Sequence, residues 1–294
     1  MVFLAIAVVG IVAIPTTIGA QARQRALYVS VLDKAGAPVL DLAPTDIVVR
    51  EDNASREVLR VVPADDPMQL ALLVDNSEAA EPYIRDYRDA LPAFITTVIE
   101  ASGTRGRHQI ALIGLASRPT VISEYTSDTA QLLKGVQRLF AQSETATHLL
   151  DAVAEVSSGM MRSRAPRPVI VAIATAGPEE SSRQYDQVLN SLRASGAAFH
   201  VLTVGLPVNL SLDRGIVLER GSRETGGNYD SLLSGSALTG RMRKLAAELT
   251  HQYRVIYARP QSLIPPKNVA VSAARPDLTV RGTAAIGQDG QERP

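Results

Sequence analysis

The sequence predicts an α/β protein: a doubly wound, mostly parallel sheet inserted between flanking β-strands that complete a small β-sandwich. Three observations carry this expectation. Apolar runs at 69–74, 109–116, 168–175 and 198–204 are continuous, as in strands buried on both faces. Between them, apolar residues recur three and four apart, so strand and helix alternate as in right-handed βαβ crossovers. Outside 67–258 the pattern changes to short, alternating, β-branched segments with tight turns, the mark of antiparallel strands.

Composition narrows the function classes. Apolar residues are 46% of the 294, enough for a sizeable core. Thirty basic and thirty acidic residues cancel, so no net field favours nucleic acid or an anionic membrane. Aromatic residues are only 4%, with no Trp, which argues against base-stacking platforms. The absence of Cys excludes disulfides, thiolate metal sites and a Cys nucleophile.

In order, residues 1–22 have the form of a signal peptide. An apolar run at 2–14 is followed by Pro15 and by Ala20-Gln21-Ala22, an A-x-A cleavage pattern, although no basic residues precede the run. Kept uncleaved, the segment nearly reaches spanning length, and it is the only expected link to a membrane. The expected location is therefore outside the cytoplasm: periplasmic, secreted or envelope-associated.

Residues 23–66 form the N-terminal β module, with strands at 27–32, 46–52 and 57–62. Three such strands cannot bury two faces alone and need partners elsewhere. The α/β stretch runs from 67 to 258. After the strand at 69–74, a helix at 82–100 carries an apolar stripe through Tyr87, Leu91, Phe94, Ile95 and Val98. Next come the strand at 109–116, a short one at 120–122, and helices at 128–140 and 147–161. The strand at 168–175, a helix at 182–193 and the strand at 198–204 follow. A helix at 212–224, an edge strand after Gly226-Gly227-Asn228-Tyr229, a helix at 238–250 and a strand at 253–258 complete the stretch. Residues 259–294 supply strands at 268–273 and 278–281 and a polar, loose tail from Gly287.

The loop after the first long strand, Asp75-Asn76-Ser77-Glu78-Ala79, lies at a sheet's carboxyl edge, where open α/β folds place their ligands. Asp75, Ser77 and Glu78 offer hard oxygens suited to Mg²⁺, Mn²⁺ or Ca²⁺. The same residue types cap helices without any metal, so the loop alone leaves both uses open. His108, His148, His200 and His251 show no ligand spacing. No Gly-x-Ser-x-Gly elbow, Gly-x-Gly-x-x-Gly turn or Gly-Lys-Ser/Thr loop follows a strand.

Five segments in this order resemble the von Willebrand factor A fold, a Rossmann-like domain. Asp75 to Ala79 is similar to its Asp-x-Ser-x-Ser loop, Thr147-His148-Leu149-Leu150-Asp151 to its Thr loop, and 169–177 to the strand that ends in Thr-Asp-Gly. Residues 224–229 resemble the turn before its last strand, and 252–257 its exit strand. The phrases at 31–39 and 46–53 resemble the flanks of a bacterial, exported subgroup of related proteins. The resemblance implies a non-enzymatic protein–protein interaction module for adhesion or assembly, with a metal-ion-dependent adhesion site. It implies direct metal ligation by Ser77 and Thr147, with Asp75 supplying charge. Ala79 and Ala176 depart from the pattern, removing one hydroxyl and one carboxylate, so any Mg²⁺ or Mn²⁺ is expected to be weakly held or lost. Asn76, Glu78, Glu144, His148 and Glu179 are then expected along the edge that meets a protein partner. Two other readings are a structural envelope scaffold that needs no metal and, more remotely, a hydrolase using Asp75 with His148 or Glu144.

Overall fold

The structure is a computed structural model that describes residues 23–206, 211–260, 266 and 268–289, with 283–289 as backbone only. The leader at 1–22 and the last five residues of the tail lie outside the described residues.

The centre is a six-stranded sheet in the order β10-β9-β8-β5-β6-β7. Its strands are β5 (Met68–Val74), β6 (Gln109–Gly114), β7 (Thr120–Thr126), β8 (Arg167–Thr175), β9 (Ala198–Val204) and β10 (Tyr229–Leu232). All neighbours are parallel except β7, which pairs antiparallel with β6. The continuous apolar runs are the four inner strands, covered on both faces as parallel sheets require. One face packs on α1 (Ile84–Glu100), α2 (Thr129–Gln137) and α7 (Leu238–Thr250), where Tyr87, Phe94 and Leu245 meet Leu70, Leu72 and Ile173. The other packs on α3 (Leu149–Ser163) and α4 (Tyr185–Ser195), where Val153 and Leu192 meet Leu73 and Phe199. Between β9 and β10, α5 (Leu212–Ile216) continues through a π-helical turn (Val217–Gly221) into α6 (Ser222–Glu224).

The flanks form the sandwich. β1 (Arg23–Leu32), β4 (Val58–Pro63), β11 (Tyr253–Arg259) and β13 (Thr279–Asp289) make one antiparallel sheet in the order β13-β1-β11-β4. β2 (Ile47–Glu51), β3 (Ala54–Arg56) and β12 (Val269–Ala273) make the facing one, in the order β12-β2-β3. Leu27, Val29, Val31, Ile47, Val49 and Val255 fill the space between them. The segment at 253–258, counted with the α/β stretch in sequence, is hydrogen-bonded between β1 and β4 and so works as a sandwich strand.

Several bounds differ from expectation. Thr147 lies outside α3, which begins at Leu149, and α4 begins at Tyr185, because the residues before each are engaged in loop-to-loop hydrogen bonds. The hairpin β2–β3 and the length of β7 were not expected, since short edge strands carry little pattern. Gly287 to Asp289, expected in the loose tail, continue β13 beside β1.

The sandwich is docked at the amino ends of the parallel strands. Tyr28 Oη donates to Asp66 Oδ2 at 2.9 Å and to the Pro166 carbonyl at 3.2 Å, just before β5 and β8 begin. Arg167, the first residue of β8 and 2% exposed, donates to Gln252 Oε1 at 2.8 Å and to the Leu249 carbonyl, and lies 5.6 Å over the Tyr28 ring. Burial holds its pKa down to about 10. A second joint forms where Arg281 of β13 pairs with Glu248 of α7 at 2.8 Å. Nearby, a Cβ on Gly226, whose φ is +72°, would collide with the Gly282 backbone. The carboxyl ends of β5 and β8 are thus left facing away from the sandwich, about 20 Å from the joint for strands of this length.

Candidate functional site

At the carboxyl edge, β5 stops at Val74 while its neighbours' loops continue. Asp75 keeps one ladder bond, its N–H to the Ile173 carbonyl at 2.8 Å, and then turns inward. Its Oδ1 accepts from the Ser77 N–H at 3.0 Å, and its Oδ2 accepts from the Thr175 N–H at 3.0 Å and the Thr175 hydroxyl at 2.5 Å. Three donors on one carboxylate fix both the loop and the end of β8. Asn76 fastens three segments: its Oδ1 accepts from the N–H groups of Leu115 and Ala116, and its Nδ2 donates to the Phe140 carbonyl.

Thr147 takes the place in the edge that β5 vacates. It bridges Ala116 on the β6 side and Glu179 on the β8 side. Its N–H donates to the Pro178 carbonyl at 3.0 Å, and its own carbonyl accepts from the Glu180 N–H at 2.9 Å. The consequence is burial. Asp75, Ser77 and Thr147 are all 0% exposed. Among the described residues, the hydroxyls of Ser77 and Thr147 are enclosed without a hydrogen-bond partner, a costly state that marks an unfinished polar site.

The structure therefore brings the expected metal residues to one edge and seals them beneath it. Asn76, expected along a contact edge, is also buried, and Glu179, expected there too, is half-buried with its side chain only 3% exposed; both act as loop ties. Glu78 and Glu144 are exposed and joined, the Glu78 carboxylate accepting from the Glu144 N–H at 2.7 Å. That bond holds Glu144 in the left-handed region, φ 57°, which costs a non-glycine residue about 1 kcal/mol or more. His148 is partly exposed, with Nδ1 3.6 Å from Asp151.

Sequence reasoning missed Arg214. Its guanidinium is fully buried beside Ala176, donating to the Gly177 carbonyl at 2.9 Å and to the Thr175 carbonyl. Its Nε is 4.0 Å from Glu179 Oε2. Burial raises the Glu179 pKa, against the lowering pulls of the Ser181 hydroxyl and Arg214. A signal was present: Arg214, Val217, Leu218 and Gly221 share one helical face, and all are buried. Thr175, which holds Asp75, is the Thr of the segment 169–177 that resembles the strand ending in Thr-Asp-Gly, but it was not singled out.

A hard divalent cation takes six or more oxygens and is held by carboxylate charge. The two unpartnered hydroxyls suit one. The charge does not: Asp75 has both oxygens engaged, Ala79 and Ala176 offer none, and the Arg214 cation is bonded to the carbonyls on either side of Ala176. Ala79 instead packs its Cβ where a Cβ on residue 177 would stand. Among the described residues, no three His, Cys, Asp or Glu side chains are grouped to hold a metal ion. The residues present do not fit a tightly held Mg²⁺ or Mn²⁺.

Residues 70–177 match the model of the von Willebrand factor type A domain. Among solved structures, the mussel byssus protein "proximal thread matrix protein 1", with a zinc-occupied MIDAS motif of its own, aligns at 14% identity and a TM-score of 0.50. That alignment covers 68% of this chain and 50% of the mussel chain, so this chain spans about half the length of that relative. A von Willebrand factor type A protein from Catenulispora acidiphila aligns at 12% identity over 90% of this chain and 74% of its own, with a TM-score of 0.47. No curated protein sequence matches the chain. Residues 70–177, from β5 to the end of β8, are therefore similar to von Willebrand factor type A domains, and the mussel structure shares the fold.

Proposed function

We infer that the chain is an exported protein–protein interaction module, of adhesion or assembly type, whose working surface is the exposed rim over the carboxyl ends of the parallel sheet. The observation that carries this is the division of the two ends. The amino ends are occupied by the sandwich through Tyr28, Arg167 and Gln252, whereas the carboxyl ends carry the cross-braced loops and an outward rim. Export is supported by the apolar run and the A-x-A pattern within 1–22. The domain family matched at 70–177 supports an interaction role.

The sealed Asp75, Ser77 and Thr147 act in this reading as the brace beneath the rim, and contact is made directly rather than through a shared cation. A hydrolase built on Asp75 is disfavoured by the same geometry, since that carboxylate has no exposure and both oxygens are engaged. A structural scaffold with the same sealed edge differs in one respect, that rim substitutions leave its partners unchanged. The experiment is quantitative affinity purification of the full chain and of Leu206→Ser/Leu233→Ser, both verified as folded. At least one partner must be lost from the variant; an identical partner list removes the interaction reading.

A further inference from the structure

Exposed apolar side chains gather at the carboxyl rim. Phe140, Leu206 and Leu233 are 62%, 67% and 74% exposed, and each follows an element that ends there. Singly exposed leucines need no explanation, but Leu206 and Leu233 follow neighbouring strands and Phe140 lies along the same edge beside the loop after β5. The Gly205 N–H donates to the Leu232 carbonyl at 2.9 Å, so Leu206 and Leu233 follow the ends of two neighbouring parallel strands. The Phe140 carbonyl meets the Asn76 side chain, which sets Phe140 beside the loop after β5.

Between these apolar points lie carboxylates. Glu78 and Glu144 are exposed and linked to each other at 2.7 Å, and Glu180 is exposed in the loop that follows β8. Arg118 and Arg183 share the edge; Arg183 is turned to Asp151 at 3.9 Å. Beneath them are the enclosed, unpartnered hydroxyls of Ser77 and Thr147, an independent sign that this edge is polar and incomplete.

We propose that this rim binds a protein segment carrying lysine or arginine beside leucine-sized or aromatic side chains, so that the positive charge of the complex comes from the partner and not from a metal ion. This rests on the interaction reading above. Spacing sharpens it. The Leu206–Leu233 pair sits over β9 and β10 and the Glu78–Glu144 pair over β5, two to three strands away in the sheet order. At the usual inter-strand distance that is about 12 Å, or three to four residues of extended chain. The segment therefore places its apolar anchor three or four residues from its basic residue. The mode is a reversal of polarity: a cation-loaded edge recruits a partner's carboxylate, whereas this edge, with its own exposed carboxylates and an alanine at 176, recruits a partner's cation.

The test is selection of a random dodecapeptide display library on the folded full chain, followed by anisotropy titration of the enriched peptides in chelator. The expected peptides carry Lys or Arg three or four residues from Leu, Ile, Phe or Met. Their affinity falls at least tenfold in Glu78→Gln/Glu144→Gln and in Leu206→Ser/Leu233→Ser, and falls again as salt is raised from low to high. Enriched acidic peptides that bind at the rim only with Mg²⁺ or Mn²⁺ overturn the proposal and leave the interaction reading standing. Peptides indifferent to all four rim substitutions, or no enrichment at all, overturn both. Unchanged melting temperatures of the variants separate lost contacts from lost fold.

Discussion

Arg214→Met isolates the buried cation that the edge is built on. The native guanidinium donates to the Thr175 and Gly177 carbonyls and lies 4.0 Å from Glu179, with no solvent to replace it. Methionine fills similar volume and removes every donor. Two enclosed carbonyls each lose a charge-assisted bond, which costs about 1–3 kcal/mol apiece, and a buried carboxylate loses its counter-charge. Glu179 limits the damage by taking up a proton, because burial already raises its pKa. The net loss is about 3–4 kcal/mol, a large share of the 5–15 kcal/mol that holds a domain together. Urea unfolding at pH 7 measures it. A carboxyl raised in the folded state contributes stability below its unfolded pKa and loses it as pH rises through the folded value. Removing Arg214 takes away a lowering pull on Glu179, so the deficit is smallest near pH 4 and widens towards neutrality. A loss under 1 kcal/mol, or a deficit that does not change with pH, refutes the assignment of Arg214 as the structural charge of this edge.

Other predictions concern the joint, the interior and the metal. Arg167→Met removes the donors to Gln252 and Leu249 and uncouples the sandwich from the parallel sheet, at about 3 kcal/mol or more; calorimetry then shows two transitions in place of one. His200 is enclosed with neither ring nitrogen bonded among the described residues, and burial holds its pKa down to about 4 from 6.5. A histidine depressed in the folded state contributes stability above its unfolded pKa and loses it as pH falls through the folded one, so stability drops between pH 6.5 and 4 by roughly 3 kcal/mol. His200→Leu flattens that part of the denaturation profile, leaving His108, likewise held down to about 4 by burial, as a separate acid-sensitive group. Calorimetric titration of the native chain with Mg²⁺ or Mn²⁺ gives no micromolar binding; Ala79→Ser/Ala176→Asp restores a hydroxyl and a carboxylate and tightens binding by orders of magnitude.

The parallel core was legible because strands covered on both faces lose their polar positions, and β5, β6, β8 and β9 are apolar throughout their inner lengths. The peripheral strands were less so. β1 alternates as though half-exposed, yet its polar positions Tyr28 and Ser30 are buried against Asp66 and Gln252, partners far away in sequence. β11 alternates like the N-terminal strands it pairs with, yet it was counted with the α/β stretch because its place in the chain directly follows the last helix. At the candidate site, Asp75, Ser77 and Thr147 were found through family spacing. Their burial was not, because it follows from Thr147 bridging two loops across the gap that β5 leaves. Arg214 went unremarked within the helix expected at 212–224, because charge usually faces water and only its place on the apolar face sets it apart. The rim leucines and Phe140 carried no pattern, since each lies in a loop and they share one edge only through the strand order.

The central claim is that the carboxyl rim contacts partners directly and without a divalent ion. Photo-crosslinking in the producing cells tests it, with the reactive residue placed in turn at Leu233 on the rim and at Leu59 on the sandwich, with and without chelator. The account predicts discrete adducts from Leu233 that are as strong in chelator as in Mg²⁺. Adducts that vanish with chelator, or that form from Leu59 alone, contradict it.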